Sequence, residues 1–529
     1  MNNLLNREIV YWGVGEICKN CLRYHPEVSP AFFVDSFSTL DEMDGKPVYR
    51  PGDIKYWKKY YVIIVVDEFA GIRKVLFDLG LIEGEDFAHY RPFFNLEYAS
   101  DTKDIEKIRS IKNSLDSNKK TILLDLCLFI VRQSEKLSVF FSSYVRLHRK
   151  EYNIVIVTNL GSLEEEKASD ILGCPVIDKP VINTSVQPYT CQKNNFSEEE
   201  DVFLKSVISR KYNNPVEADE LVERSRYLRY RILIDHLSPD KVVMWGGWIS
   251  DFYYMRFLSE NNNISYRAME HGPVPGTILS DPKGIMSQSI YGKSNDKLKN
   301  IHISDDYIYQ YEKIRKYITD NQLDTRKFEL NGHDEKQIEK LKRNKKTAFL
   351  VGMDESGMSI NSQSGYWNEY VSGLFASMEE AVHYFFELCD EHDVNLIYKP
   401  HPGNHLKDKS LIDKGLVYVE EMSIDRLIKL SDVVISMSSA VEYKVPMYDK
   451  ALIHIGYSSM WKKGCSYCPE SRTELANMFS VALSDGFTEA QRDNFAKFII
   501  RLMSKYLWDD LSERDVRYGL PLTVGFFEE

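Results

Sequence analysis

The chain has 529 residues, which at about 100–200 residues per domain predicts three domains, with two or four as alternatives. Apolar residues make up 43% and charged residues 28%, ordinary globular usage that excludes a disordered or fibrous chain. The 67 Lys+Arg against 79 Asp+Glu leave a net charge of −12, which argues against nucleic-acid binding by net charge while leaving a local basic groove open.

The first ~95 residues read as a small parallel α/β unit. Glu8–Trp12 is a short apolar strand, Gly13-Val-Gly15 a tight turn and Glu16–Tyr24 a helix. Residues 31–35 form a second strand ending in Asp35, and YVIIVV at 61–66 is a continuous apolar run, as in a strand covered on both faces. A helix over 69–79 is closed by Gly80. This strand–helix alternation is half of a dinucleotide-binding fold. Residues 100–120 are charged and helical. The apolar run 121–130 fits a strand or a buried helix. NIVIVT at 153–158 and KVVMW at 241–245 are strands, with a charged helical stretch over 198–237 between them. ISYRAME at 264–270 is a strand entering a Gly/Pro-rich loop, and 305–323 is another helix. From about 345, strands at 347–351, 394–398, 416–419, 433–436 and 451–455 alternate with helices at 377–391 and 423–430. That alternation means a parallel sheet with helices on both faces. Residues 491–506 form a terminal amphipathic helix.

No run approaches the roughly 20 apolar residues of a membrane-spanning helix. The N-terminus lacks a signal-peptide pattern, so a soluble cytoplasmic protein is expected. Eight cysteines fit a reducing compartment. The pairs Cys18/Cys21 and Cys465/Cys468 have zinc-like spacing but lie far apart in the chain, and buried thiols are the competing reading. The 33 tyrosines suit sugar or nucleotide surfaces and equally suit ordinary cores.

Open α/β sheets bind ligands beyond the carboxyl ends of their strands, so the informative loops are those that follow strands. Gly13-Val-Gly15 opens like the dinucleotide fingerprint, with Asp35 where a ribose-binding acid would sit, but Cys18 replaces the third glycine. The glycines can equally serve the turn alone. The unit resembles the small Rossmann-like units, akin to those of sugar acyltransferases, that precede surface-polysaccharide enzymes, and the stretch from Gly45 to Pro51 fits that comparison. Glu270-His271-Gly272, with Pro275-Gly276-Thr277 and Asp281 through Gly284, sets a carboxylate beside an imidazole at a strand end. Such a pair can serve as a base for an acceptor hydroxyl or simply start the loop. Lys399-Pro400-His401-Pro402 follows a strand, and two prolines fix the imidazole. A cation and an imidazole donor there suit a diphosphate or phosphodiester. Ser438-Ser439 precedes a helix N-terminus, an anion site or a plain serine cap. Glu442, one turn on, can meet ribose hydroxyls or sit as a first-turn acid. Asp354, after the first strand of the third region, faces the expected cleft or a solvated turn.

Together these motifs resemble the bacterial capsule polysaccharide biosynthesis glycosyltransferases, the group that includes the Kdo transferases. The resemblance covers roughly residues 240–460 by motif. It implies a GT-B fold of two Rossmann-like lobes. On that reading residues 1–95 are a Rossmann-like accessory domain, 96–340 the acceptor lobe and 341–529 the nucleotide-donor lobe. It implies that Lys399 and His401 contact the donor phosphate, that Ser438 and Ser439 hold it, and that Glu442 lies near the nucleotide. Glu270 and His271 fall on the acceptor side as catalytic candidates, with Asp281 and Asp354 as cleft residues. The expected partners are a nucleotide-activated donor and a glycan acceptor, with no nucleic acid. No metal or other cofactor is expected, and the lack of an Asp-x-Asp cluster fits that. Capsule assembly at the inner membrane face implies peripheral contact with that membrane or with assembly proteins, although no basic amphipathic helix announces an anchor. Where the family continues with small apolar residues after the glutamate, Tyr443-Lys444-Val445-Pro446 stands here, leaving donor identity open. Two other readings remain: a transferase moving a phosphorus-containing group from a CDP-linked donor, and a non-catalytic sugar-nucleotide sensor or scaffold.

Overall fold

The computed structural model describes residues 7–509, except 25, 27, 67–69, 84, 91–101, 127–134, 159–164, 179–195, 213–214, 216, 248–249, 294–296, 322–331, 343, 356–359 and 402–403. The chain is α/β throughout, and its helices and strands divide into two compact units. One holds Met1–Ser138, Val145–Lys241 and Tyr254–Ile264, and the other Val139–Tyr144, Val242–Tyr253 and Ser265–Glu529.

The first unit opens with a sheet of six strands: β1 (Glu8–Trp12), β2 (Phe32–Val34), β3 (Glu42–Met43), β4 (Lys46–Tyr49), β5 (Tyr60–Ile64) and β6 (Phe87–His89). Their order is β3-β4-β2-β1-β5-β6, and all neighbours except β3 and β4 run parallel. The sheet is wider than the three strands read from the sequence, because the Gly45–Pro51 stretch and residues 87–89 also pair. Val10, Trp12, Val62 and Ile64 pack into one core while Tyr11, Tyr61 and Ile63 pack into another. Alternate side chains of each strand thus leave by opposite faces, and both faces are covered. Gly13 has φ +120°, and a Cβ there would lie 2.6 Å from Val66 Cγ1. Strand packing alone therefore demands this glycine. Asp35 Oδ1 accepts from the N–H groups of Phe37 (2.8 Å) and Ser38 (2.7 Å), an Asx turn.

The run at 121–130 resolves as strand β7 (Lys120–Asp125), parallel to β8 (Tyr152–Thr158), which is in turn parallel to β9 (Val176–Asp178). The charged stretch 198–237 forms two helices, Glu198–Lys211 and Glu217–Leu237. Pro215 lies between them, a residue that lacks the N–H a helix interior needs. Charge is buried as well as solvated here. Glu223 is enclosed by Lys211 (3.2 Å), Arg226 (3.5 Å) and the Tyr212 hydroxyl (2.9 Å). Burial raises its pKa, but Lys211 and Arg226 outweigh that and hold it down to about 2.

In the second unit, β10 (Lys241–Trp245) is followed by β11 (Ser265–His271), β12 (Thr277–Asp281) and the distant β18 (Leu507–Asp509). β11–β12 and β12–β18 are antiparallel. The Gly/Pro-rich loop expected after the 264–270 strand is therefore mostly a hairpin. Ile278 through Asp281 pair across from β11, and the turn closes because Gly276 takes φ +85° and Gly272 donates its N–H to the Thr277 carbonyl at 2.8 Å. A second sheet comprises β13 (Thr347–Val351), β14 (Asn395–Lys399), β15 (Val417–Tyr418), β16 (Val433–Ser436) and β17 (Ala451–His454). All its pairs are parallel, in the order β15-β14-β13-β16-β17. In chain order this is 3-2-1-4-5, the Rossmann arrangement, and its direction reverses between β13 and β16. Phe349, Ile397, Val434 and Leu452 share a core with Phe495, Ile499 and Leu502 of the terminal helix Glu489–Lys505. That helix is fixed by a reciprocal cap between Thr488 and Gln491. Among the described residues no helix is long and apolar enough to cross a membrane.

Candidate functional site

The strand order puts three of the singled-out loops at one edge of the five-stranded sheet. Residues 352–355 leave β13, residues 400–401 leave β14 and residues 437–439 leave β16. The β13 and β16 exits flank the reversal of strand order, where an open α/β sheet leaves a crevice.

The first two loops are locked together. Gly352 donates its N–H to the Lys399 carbonyl at 2.8 Å. His401 lies beside Asp354, Nδ1 to Oδ2 at 4.0 Å, with 31% of its side chain exposed. The Asn404 N–H donates to the His401 carbonyl (2.9 Å), and the Asn404 side-chain amide donates to the Met353 carbonyl (2.9 Å). The loop is thus tied to the β13 exit while the imidazole stays partly exposed. Pro402 and Gly403 lie outside the described residues. Lys399 differs from its neighbour. It is 6% exposed, and its ammonium donates to the Glu420 carbonyl beneath the loop. The segment it holds is clamped again by Asp334, whose carboxylate accepts from the N–H groups of Glu421 and Met422 at 2.7 Å each.

The serine loop runs from Ser436 into a 3₁₀ turn, Ala440–Tyr443, and then the short helix Lys444–Met447. Ser439 caps the turn, its hydroxyl accepting from the Val441 N–H at 3.3 Å. Ser438 is 6% exposed, and its hydroxyl contacts Met286 Sδ at 3.7 Å. Glu442 is fully buried. Its Oε1 accepts from the Ser436 hydroxyl (2.8 Å) and the Ser439 N–H (3.1 Å), so the carboxylate ties the two ends of the loop from below. Gly456, at the exit of β17, allows a close approach: a Cβ there would lie 1.8 Å from the Met437 carbonyl oxygen.

Glu270, His271 and Asp281 belong to one hairpin, where Glu270 pairs with Leu279, His271 with Ile278 and Ala268 with Asp281. His271 lies edge-on to Trp245, with ring centroids 4.9 Å apart. Asp281 is fully buried and folds the loop that follows. Its oxygens accept from the N–H groups of Lys283 (2.7 Å), Gly284 (3.1 Å) and Ile290 (3.0 Å). That loop carries Met286, so it links the hairpin to Ser438. Residues beyond the sequence motifs enter the same neighbourhood. Ser287 donates to the Tyr370 carbonyl (2.7 Å), and the Lys293 ammonium sits 3.3 Å from the Tyr457 ring centroid. Scattered single residues of this kind leave no sequence motif. Among the described residues no group of three or more His, Cys, Asp or Glu is arranged to hold a metal ion.

Two carboxyls here carry raised pKa values. Burial pushes Glu270 up to about 7, against a lowering by the His271 N–H at 3.0 Å. Burial pushes Asp281 up to about 6, against its backbone N–H donors. Below about pH 4 both groups are protonated in the folded and the unfolded chain. Above that, the folded chain keeps protons the unfolded chain has released, so stability falls as pH rises through about 6 and 7. Urea midpoints are expected to drop between pH 5 and pH 8, and Glu270→Gln should narrow the drop. An unchanged drop in the variant would count against Glu270 as its source.

No protein-family model and no curated protein matches the chain. Among solved structures it is similar to Thermosulfurimonas dismutans KpsC, beta Kdo 2,7 transferase, at 16% identity over 57% of this chain and 87% of that one, with a TM-score of 0.32. It is also similar to a KpsC beta Kdo 2,4 transferase of the same organism, at 16% identity, 48% and 78% coverage and a TM-score of 0.34. A glycosyltransferase from Rickettsia africae gives 14% identity, 73% and 94% coverage and a TM-score of 0.31.

Proposed function

We propose that the chain is a glycosyltransferase of bacterial surface-glycan synthesis that transfers a sugar from a nucleotide-activated donor to a growing glycan. The reading rests on one observation above the others: the Gly352, His401 and Ser438-Ser439 loops meet at the edge of a 3-2-1-4-5 sheet where its strand order reverses. The crevice at such a reversal admits a nucleotide, and its donors there suit a phosphate. His401 stabilises charge that develops on the leaving phosphate, helped by the serine hydroxyls. Lys399 and Glu442 act from beneath, one fixing the 399–401 segment and the other the serine loop. Glu270, poised near pH 7, is the acceptor-side base, with His271 beside it. The reaction then forms a glycosidic bond, the acceptor hydroxyl loses its proton to Glu270, and the nucleotide leaves with both electrons of the broken bond. No metal is given a step.

Titration calorimetry with CMP, CDP, UDP and GDP tests this directly. One nucleotide is expected to bind, and the double variant Ser438→Ala/Ser439→Ala to weaken it about tenfold or more. Parent-like affinity in that variant would remove the serine loop from the site. A phosphodiester product in place of a glycosidic one would redirect the reading to phosphoryl-group transfer.

A further inference from the structure

His454 ends β17, one strand over from the serine loop, and pairs in register with Ser436. It is fully buried, and so is Glu442. Its Nδ1 lies 3.5 Å from Glu442 Oε2. That distance is long for a hydrogen bond, and among the described residues Glu442 Oε2 and both imidazole nitrogens have no hydrogen-bond partner. Three adjacent buried polar atoms without partners are rare in native folds and call for a reason. Their place supplies one, because the other oxygen of Glu442 already holds Ser436 and the Ser439 N–H. His454 therefore stands at the fixed end of a chain that runs through Glu442 to the loop carrying Ser438 and Ser439. Its backbone cannot shift to relieve the contact, since its N–H donates to the Tyr467 carbonyl at 2.9 Å. Trp461 lies against the ring, with centroids 6.3 Å apart at 70°.

We propose that His454 is a positioning residue of the donor site. Nδ1–H is directed at Glu442 Oε2, and the contact shortens into a hydrogen bond when a donor phosphate engages the serine loop. Site hydrogen bonds are often long in an unliganded protein and tighten on binding. The residue touches no substrate. It sets the pitch of the loop through Glu442, and this role rests on the serine loop holding the donor.

Two measurements on the full chain test it, with the nucleotide that binds best among CMP, CDP, UDP and GDP as probe. The first needs no variant. ¹⁵N chemical shifts of the His454 ring should report hydrogen on Nδ1 and move on adding the nucleotide. Hydrogen on Nε2 alone, or shifts that stay put, would overturn the proposal. The second compares substitutions. An Asn amide can replace the Nδ1–H donor, and a Phe ring cannot. His454→Asn should keep nucleotide affinity within about twofold, whereas His454→Phe should weaken it about tenfold at unchanged melting temperature. Equal affinities in the two variants would overturn the proposal. Should His454→Phe fail to fold, the ring shifts of the parent decide alone. The Ser438→Ala/Ser439→Ala variant separates the two ideas. If it binds like the parent, the donor-site reading itself has failed. If it loses binding while His454→Phe does not, only the positioning role has failed.

Discussion

Gly352→Ala is expected to abolish nucleotide binding and to lower stability by roughly 1–3 kcal/mol. A Cβ at this position would lie 2.6 Å from the His401 nitrogen, 2.7 Å from the Lys399 carbonyl oxygen and 2.7 Å from Pro400 Cα. All three are backbone atoms, so no side chain can swing aside. The Gly352 N–H also donates to that same Lys399 carbonyl. An added methyl must therefore drive the β13 exit away from the 399–401 segment and break the bond that registers one against the other. His401 moves with the segment, and a misplacement of about 1 Å at a reacting group can cost on the order of 100-fold in rate. Gly365→Ala is the matched control, since a Cβ there meets nothing within 4 Å. Urea unfolding and nucleotide titration on both variants check the prediction. Parent-like values for Gly352→Ala would mean that the two loops are not held together as described.

The strands of the five-stranded sheet were legible because each is a short apolar run bounded by polar or turn residues. TAFLV and VVIS cannot be solvated on either face, and strands covered by helices on both sides need that composition. Their order was not legible. Nothing local in β13 says that β16 pairs with it, yet this pairing puts the Gly352 and serine loops side by side. The β12 strand was hidden for another reason. It is five residues long and sits between glycines and prolines, whose turn signal dominates the window. Tertiary pairing with β11 on one side and β18 on the other overrides that signal. Residue chemistry was legible in type but not in direction. A lysine at a strand end and a glutamate one turn into a helix both read as groups offered to a ligand. Here Lys399 turns to the Glu420 carbonyl and Glu442 turns to Ser436 and Ser439. His454 gave no signal, because one histidine inside the run ALIHI looks like core. Only the register Ser436–His454 reveals its place.

That difference in direction separates Lys399 from His401 in experiment, although they stand two residues apart in one motif. His401→Ala should lower transfer by about 10²–10³-fold and leave stability nearly unchanged. Its side chain is 31% exposed and faces Asp354 across 4.0 Å, so truncation removes a partly solvated ring rather than a core side chain. On the proposed function it removes a donor directed at the leaving phosphate. Lys399→Ala should do the reverse in kind. The residue is 6% exposed and its ammonium donates to the Glu420 carbonyl, so truncation empties a buried stem and removes the donor that ties this strand end to residue 420. A loss of about 1–3 kcal/mol follows. Activity then falls through a loosened 399–401 segment, and nucleotide affinity falls with it. Lys399→Met separates packing from charge, because it keeps the stem and drops the donor. It should recover part of the lost stability and little of the lost affinity. Thermal or urea unfolding, paired with nucleotide titration and single-turnover transfer, reads all three variants. Loss of stability in His401→Ala, or its preservation in Lys399→Ala, would reverse the roles assigned to the two cations. Loss of transfer in His401→Ala at full stability would mark the imidazole as the group that meets the donor.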